Sequence, residues 1–112
     1  MHQFIAYDVA LEFAHQLAPT LVALRRKDRS LEDQLRRAAA STVLNIAEGD
    51  GKSSLRDQAR FFEIARGSCR EAHAALRLAS VWGYLDDAEV AELDALADRV
   101  CALLSKLIAR AR

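Results

Sequence analysis

Along most of the chain, apolar residues recur every three or four positions, the spacing that lines one face of a helix. No stretch bounded by turn residues alternates with the period of two that marks a strand. The first periodic stretch predicts a helix from Phe4 to Lys27 with Asp8, Glu12, His15, Gln16 and Arg26 on one side. Phe4, Tyr7, Val9, Ala10, Leu11, Phe13, Ala14, Leu17, Ala18, Leu21 and Leu24 cover most of the rest. An ordinary surface helix needs an apolar stripe of about 100°. A helix packed on one side only would leave part of this wider arc wet, so burial in an oligomer is expected. Pro19 removes a backbone donor inside the pattern, which predicts a kink or split near Leu17 or Ala18.

A second helix is expected to open at Ser30, where Ser30-Leu31-Glu32-Asp33 resembles a capping box with an acidic first turn. It should stop near Gly49 to Gly51, where glycine accepts a left-handed cap. Leu31, Leu35, Ala38, Thr42 and Ile46 share its buried face, and Ala38, Ala39, Ala40 and Ala47 permit a neighbouring helix to come close. Beside that face runs a polar ridge of Gln34, Arg37, Ser41, Asn45 and Glu48. Ser and Asn are mediocre helix formers, so their place in mid-helix points to hydrogen bonding with another helix or chain. A packing network that fixes helix register and a functional surface both fit this ridge.

The third helix should be capped by Ser53 or Ser54, run to Trp82 and end at Gly83. Its expected buried stripe is Phe61, Ala65, Ser68, Ala72, Leu76 and Ala79, with Phe62 and Cys69 alongside. Gly67 in mid-helix costs about 1 kcal/mol in propensity, and close contact with another helix is the expected reason. The fourth helix opens with an Asp86-x-x-Glu89 box and continues through Val90, Leu93, Ala97, Val100, Leu104 and Leu107, a heptad-like seam. It is acidic at its start and basic at its end (Lys106, Arg110, Arg112), as the helix dipole favours. Short connections between four such helices predict an all-α fold: a single domain over residues 1–112, folded as an antiparallel up-and-down four-helix bundle.

Charge and composition narrow the functions. Sixteen basic and sixteen acidic residues cancel, which argues against a generic polyanion binder and leaves room for a local patch. Residues 1–49 carry no net charge, residues 50–82 carry +2 and residues 83–112 carry −2. Two sets of arginines are therefore the candidate phosphate contacts. Arg25, Arg26 and Arg29 lie at the end of the first helix, where they also complement its dipole. Arg56, Arg60, Arg66, Arg70 and Arg77 lie on the third, opposite its buried stripe and broken mainly by Glu63. The bland alternative for both sets is a solvated surface.

Catalytic chemistry finds little support. Glu12 and His15 form an E-x-x-H, but a di-iron bundle site needs two such motifs and a Glu from each of the other helices. The run Gly49-Asp50-Gly51-Lys52-Ser53 lacks the strand and spacing of a phosphate loop and reads as a helix cap. His73 reads as a surface residue. Cys69 and Cys101 have no metal-ligand spacing and read as core thiols in a reducing compartment. No enzyme activity, metal or cofactor is expected. The absence of a long apolar run or a basic-then-apolar leader predicts neither a membrane span nor a signal peptide, hence a cytoplasmic protein.

The central motifs carry a resemblance. Gln34-x-x-Arg37-Ala38-x-x-Ser41-x-x-x-Asn45-Ile46-Ala47-Glu48-Gly49, then Phe61 and Ile64-Ala65-x-Gly67-Ser68-x-x-Glu71, resemble the small four-helix-bundle proteins of the 23S rRNA intervening-sequence family. The accessory proteins of diversity-generating retroelements are similar. The motifs span about residues 34 to 85, and the helical layout extends the likeness to nearly the whole chain. The resemblance implies a homo-oligomer, a pentameric barrel of bundles. By analogy with the retroelement proteins it implies an accessory role with RNA or DNA and with a reverse transcriptase. This chain departs from those relatives in being neutral where they are basic. The expected function is a non-enzymatic, RNA-associated oligomeric scaffold; the alternative is a protein–protein interaction scaffold with no nucleic-acid role.

Overall fold

The computed structural model describes residues 4–111 and consists of four helices: α1 (Ile5–Arg25), α2 (Arg29–Asp50), α3 (Leu55–Val81) and α4 (Asp87–Ala109). Arg112 lies outside the described residues. Among the described residues there is no strand, and no helix is long and apolar enough to cross a membrane. Cross-helix contacts fix the directions. Gly49 at the end of α2 meets Phe62 near the start of α3, and Ser41 meets Ser68. Ser80 near the end of α3 meets Asp87 at the start of α4, while Arg66 meets Ser105. Thr20 of α1 meets Glu89 of α4. Each helix therefore runs antiparallel to its neighbours, packed in the ring order α1–α2–α3–α4.

The core is filled by Phe13, Leu17 and Leu24 of α1, Leu35 and Ile46 of α2, Leu76 of α3, and Val100, Leu104 and Ile108 of α4. Fully burying one such side chain contributes about 1.5–3 kcal/mol. Between them lie small residues, Ala65, Ala72, Ala79 and Ala97, which let the helix axes approach. The expected face of α2 is buried in full. On α3 the stripe is rotated slightly from the expected one: Phe62 and Cys69 are at its centre, and Phe61 and Ser68 are half-buried at its edge. At the end of α4, Ile108 rather than Leu107 is the buried member. A straight helix at 3.6 residues per turn drifts from a strict heptad, which carries Leu107 off the seam.

The helix ends correct other expectations. Asp28, not Ser30, caps α2: its backbone is extended and its carboxylate accepts from the Leu31 amide at 3.0 Å. An anion there satisfies an orphan donor and complements the dipole as well. Ser54 caps α3, accepting from the Asp57 amide at 3.1 Å. Asp86 precedes α4 without a side-chain cap bond, so the Asp86–Glu89 box does not close; Glu89 instead accepts from Thr20. Gly51 ends α2 at φ −80°, and the left-handed cap is found at Gly83, φ +79°. There the Tyr84 amide donates back to the Ala79 carbonyl at 2.8 Å. α1 passes through Pro19 without splitting. Pro19 and His15, whose carbonyl loses its helical donor, both face solvent, so water can supply the missing partner.

Candidate nucleic-acid interface

The polar ridge of α2 separates into two parts. Ser41 Oγ lies 2.7 Å from Ser68 Oγ across the α2–α3 contact. Asn45 Nδ2 donates to the Ser41 carbonyl at 2.8 Å and to Ser41 Oγ at 3.1 Å. These three half-buried residues form a network that sets the register of α2 against α3. Gln34, Arg37 and Glu48 stay exposed; Arg37 pairs with Asp33 at 2.9 Å and Glu48 with Lys52 at 3.1 Å. Replacing Ser68 with Ala should lower stability by about 1 kcal/mol, the worth of one hydrogen bond, as a shift in urea midpoint with unchanged slope.

The other motif residues have distinct places. A Cβ added at Gly49 would sit 2.6 Å from Phe62 Cε1, so glycine is what lets the α2 end seat against α3. Phe61 is half-buried, with Lys52 Nζ 5.1 Å and Arg60 Cζ 5.2 Å from its ring centre. Glu71 is exposed. Gly67 is exposed too, and a Cβ there would meet nothing within 4 Å, so close packing inside the bundle is not its reason.

The eight candidate arginines do not form one surface. Arg66 turns towards α4 and donates to Ser105 Oγ at 3.0 Å. Arg77 Nη1 lies 3.6 Å from Asp94. Arg25 reaches the buried Glu32 at 3.8 Å, and Arg36 meets the same carboxylate at 3.3 Å. Arg26, Arg29, Arg56 and Arg70 are exposed and form no ion pair among the described residues. Arg26 and Arg29 share the α1–α2 turn, whereas Arg56 lies at the α2–α3 turn, at the opposite end of a molecule 43 Å long, and Arg70 midway along α3.

Three features escaped the sequence reading. His73 is no free surface residue: it sits between Asp94 (3.2 Å from Nε2) and Asp98 (3.4 Å from Nδ1), clasping α3 to α4. Glu32 is a buried carboxylate at the α1–α2 turn. Cys69 packs against α4, its Sγ 3.4 Å from the carbonyl of Ala97, one turn before Cys101. The first depends on Asp94 and Asp98 lying one turn apart on α4 and on the α3–α4 register, which local patterns do not specify. Glu12 and His15 are exposed, and Glu12 accepts from Gln16 Nε2 at 2.8 Å. Among the described residues no group of three or more His, Cys, Asp or Glu is placed to hold a metal ion.

Apolar exposure is uneven around the bundle. On α1, Tyr7, Leu11, Ala14, Ala18 and Leu21 follow heptad spacing and none is fully buried, while Val22 beside them is 60% exposed. On α2, Leu44 is 66% exposed. On α3, Ile64, Gly67, Ala74, Leu78 and Val81 line one exposed side, interrupted by Glu71, with Trp82 next to it. α4 exposes no large hydrophobic residue.

The family model described as 23S rRNA-intervening sequence protein matches residues 2–106. A crystal structure of a protein of unknown function from the S23 ribosomal protein family of Bacteroides thetaiotaomicron superposes with a TM-score of 0.87 at 23% identity. The match covers 92% of this chain and 97% of the other. At that identity the likeness speaks for the fold. No curated protein matches the chain.

Proposed function

This chain belongs to the 23S rRNA-intervening sequence protein family, and on that premise we propose that it works without catalysis, as a self-assembling scaffold that carries RNA. The observation behind the reading is the uncovered apolar surface of α1, α2 and α3. Monomeric proteins rarely leave heptad-spaced apolar seams in water, and a second copy of the chain is the partner always at hand. Gly67 supports it: a mid-helix glycine with empty space around it suits the close approach of another backbone. Seams on different faces favour head-to-tail contacts, which close into rings. Five subunits is the number implied by the resemblance to the retroelement proteins, as is a reverse transcriptase partner.

Assembly also addresses the weakness of the charge pattern. One subunit offers the dispersed Arg26, Arg29, Arg56 and Arg70. Repetition around a ring lets several weak contacts engage one polymer, which raises avidity without any new contact. The test is fluorescence anisotropy of a labelled structured RNA titrated at low and at moderate salt. Binding should be saturable and weaken steeply with salt, and each of Arg56→Gln and Arg70→Gln should reduce the logarithmic salt slope by about one unit. No binding at low salt overturns the RNA reading. It would favour a protein-interaction scaffold, the reading supported by the Arg77 and His73 pairing with Asp94 and by the neutral net charge.

A further inference from the structure

Cys69 and Cys101 are remote in sequence and adjacent in the fold. Cys69 is fully buried on α3, and its Sγ donates to the Ala97 carbonyl of α4 at 3.4 Å. Ala97 precedes Cys101 by one turn on the same side of α4. Cys101 is only half-buried, so solvent reaches one member of the pair. Both thiols are free. We propose that the two form an oxidisable pair, Cys101 attacking and Cys69 resolving, which closes a disulfide between α3 and α4 in response to a peroxide.

The surroundings suit those roles. The neighbouring Cys69 thiol lowers the Cys101 pKa to about 7. Burial opposes this, Arg70 and Arg66 on α3 assist it, and Asp98 on α4 opposes it. The neighbouring Cys101, together with burial, raises Cys69 far above an ordinary thiol, so the thiolate that forms near neutral pH sits on the solvent-accessible Cys101.

The chemistry balances without a metal or cofactor. The Cys101 thiolate attacks one peroxide oxygen; an S–O bond forms, the O–O bond breaks, and the released hydroxide takes up the proton that Cys101 had given to solvent. Cys101 is then a sulfenic acid. With the negative charge gone from Cys101, the Cys69 thiol gives up its proton more readily. The Cys69 sulfur attacks the Cys101 sulfur, the S–S bond forms, and the S–O bond breaks. The leaving hydroxide departs as water with the Cys69 proton. Two thiols and one peroxide become one disulfide and two waters, the sulfurs losing two electrons and the peroxide gaining them. The pair acts whether or not the chain binds RNA.

The test exposes the full-length, reductant-free protein to hydrogen peroxide and follows intact mass and free thiols. The expected product is monomer-linked, lighter by about two mass units for the two lost thiol hydrogens, with the Cys69 and Cys101 peptides joined in an unreduced digest. Its rate should fall about tenfold from pH 8 to pH 6, because the thiolate fraction of Cys101 falls with it. Cys69→Ala should leave Cys101 as a sulfenic acid that dimedone traps, and Cys101→Ala should leave Cys69 unreactive. The wild-type measurement stands even if a variant fails to fold. Oxygen addition at Cys101 with no internal link, disulfides only between chains, or two unreacted thiols would each overturn the proposal.

Discussion

Glutamate at positions 11 and 22 should leave the chain as a folded monomer of 12.4 kDa. Leu11 on the outer seam of α1 and Val22 beside it are 42% and 60% exposed in the single bundle. Leu11→Glu and Val22→Glu therefore remove little from the core, and the far-ultraviolet dichroism and urea midpoint should stay close to wild type, within about 0.5 kcal/mol per site. In an assembly the same positions are covered by another subunit. Burying an unpaired carboxylate costs several kcal/mol, so association should weaken by on the order of a thousandfold or more. Sedimentation velocity at micromolar concentration reads the outcome. A double variant that stays assembled would place the subunit contact away from α1.

The second large effect is on folding. Gly49→Ala should destabilise the bundle by about 1–3 kcal/mol, the range for forcing extra volume into a packed site. The added Cβ would sit 2.6 Å from Phe62 Cε1, 2.8 Å from Phe62 Cδ1 and 3.1 Å from Phe61 Cβ. The Phe62 ring is buried and also packs against Phe4, with ring centres 5.7 Å apart, so it cannot swing clear without disturbing α1. For a domain of this size each kcal/mol lowers the melting temperature by roughly 4–8 °C. Phe62→Leu in the Gly49→Ala background should recover part of the loss, and a double-mutant cycle by thermal melting measures the coupling. Additive effects would mean that Gly49 matters for another reason.

Much of the fold was legible in the sequence because it is local. The period of Leu31, Leu35, Ala38, Thr42 and Ile46 identifies the buried face of α2. Ser54 and Gly83 mark the ends of α3 through chemistry within one turn of themselves. What the sequence left unresolved depends on register. Ser41, Asn45 and Ser68 could have been a binding surface or a packing network, and only the α2–α3 alignment decides that they hydrogen-bond to one another. The arginines of α3 read as one stripe on a helical wheel. In three dimensions α4 takes Arg66 and Arg77, using Ser105 and Asp94, which sequence distance hides. The opposite happened at Gly67, where a close contact was expected and the bundle supplies none.

The apolar faces of α1, α2 and α3 are proposed to form an interface between copies of this chain. Multi-angle light scattering on the reduced, purified protein at micromolar concentration tests it most directly. One sharp species at a whole multiple of 12.4 kDa is expected, five-fold if the resemblance to the retroelement proteins extends to the subunit count. A single species at 12.4 kDa across that range would contradict it.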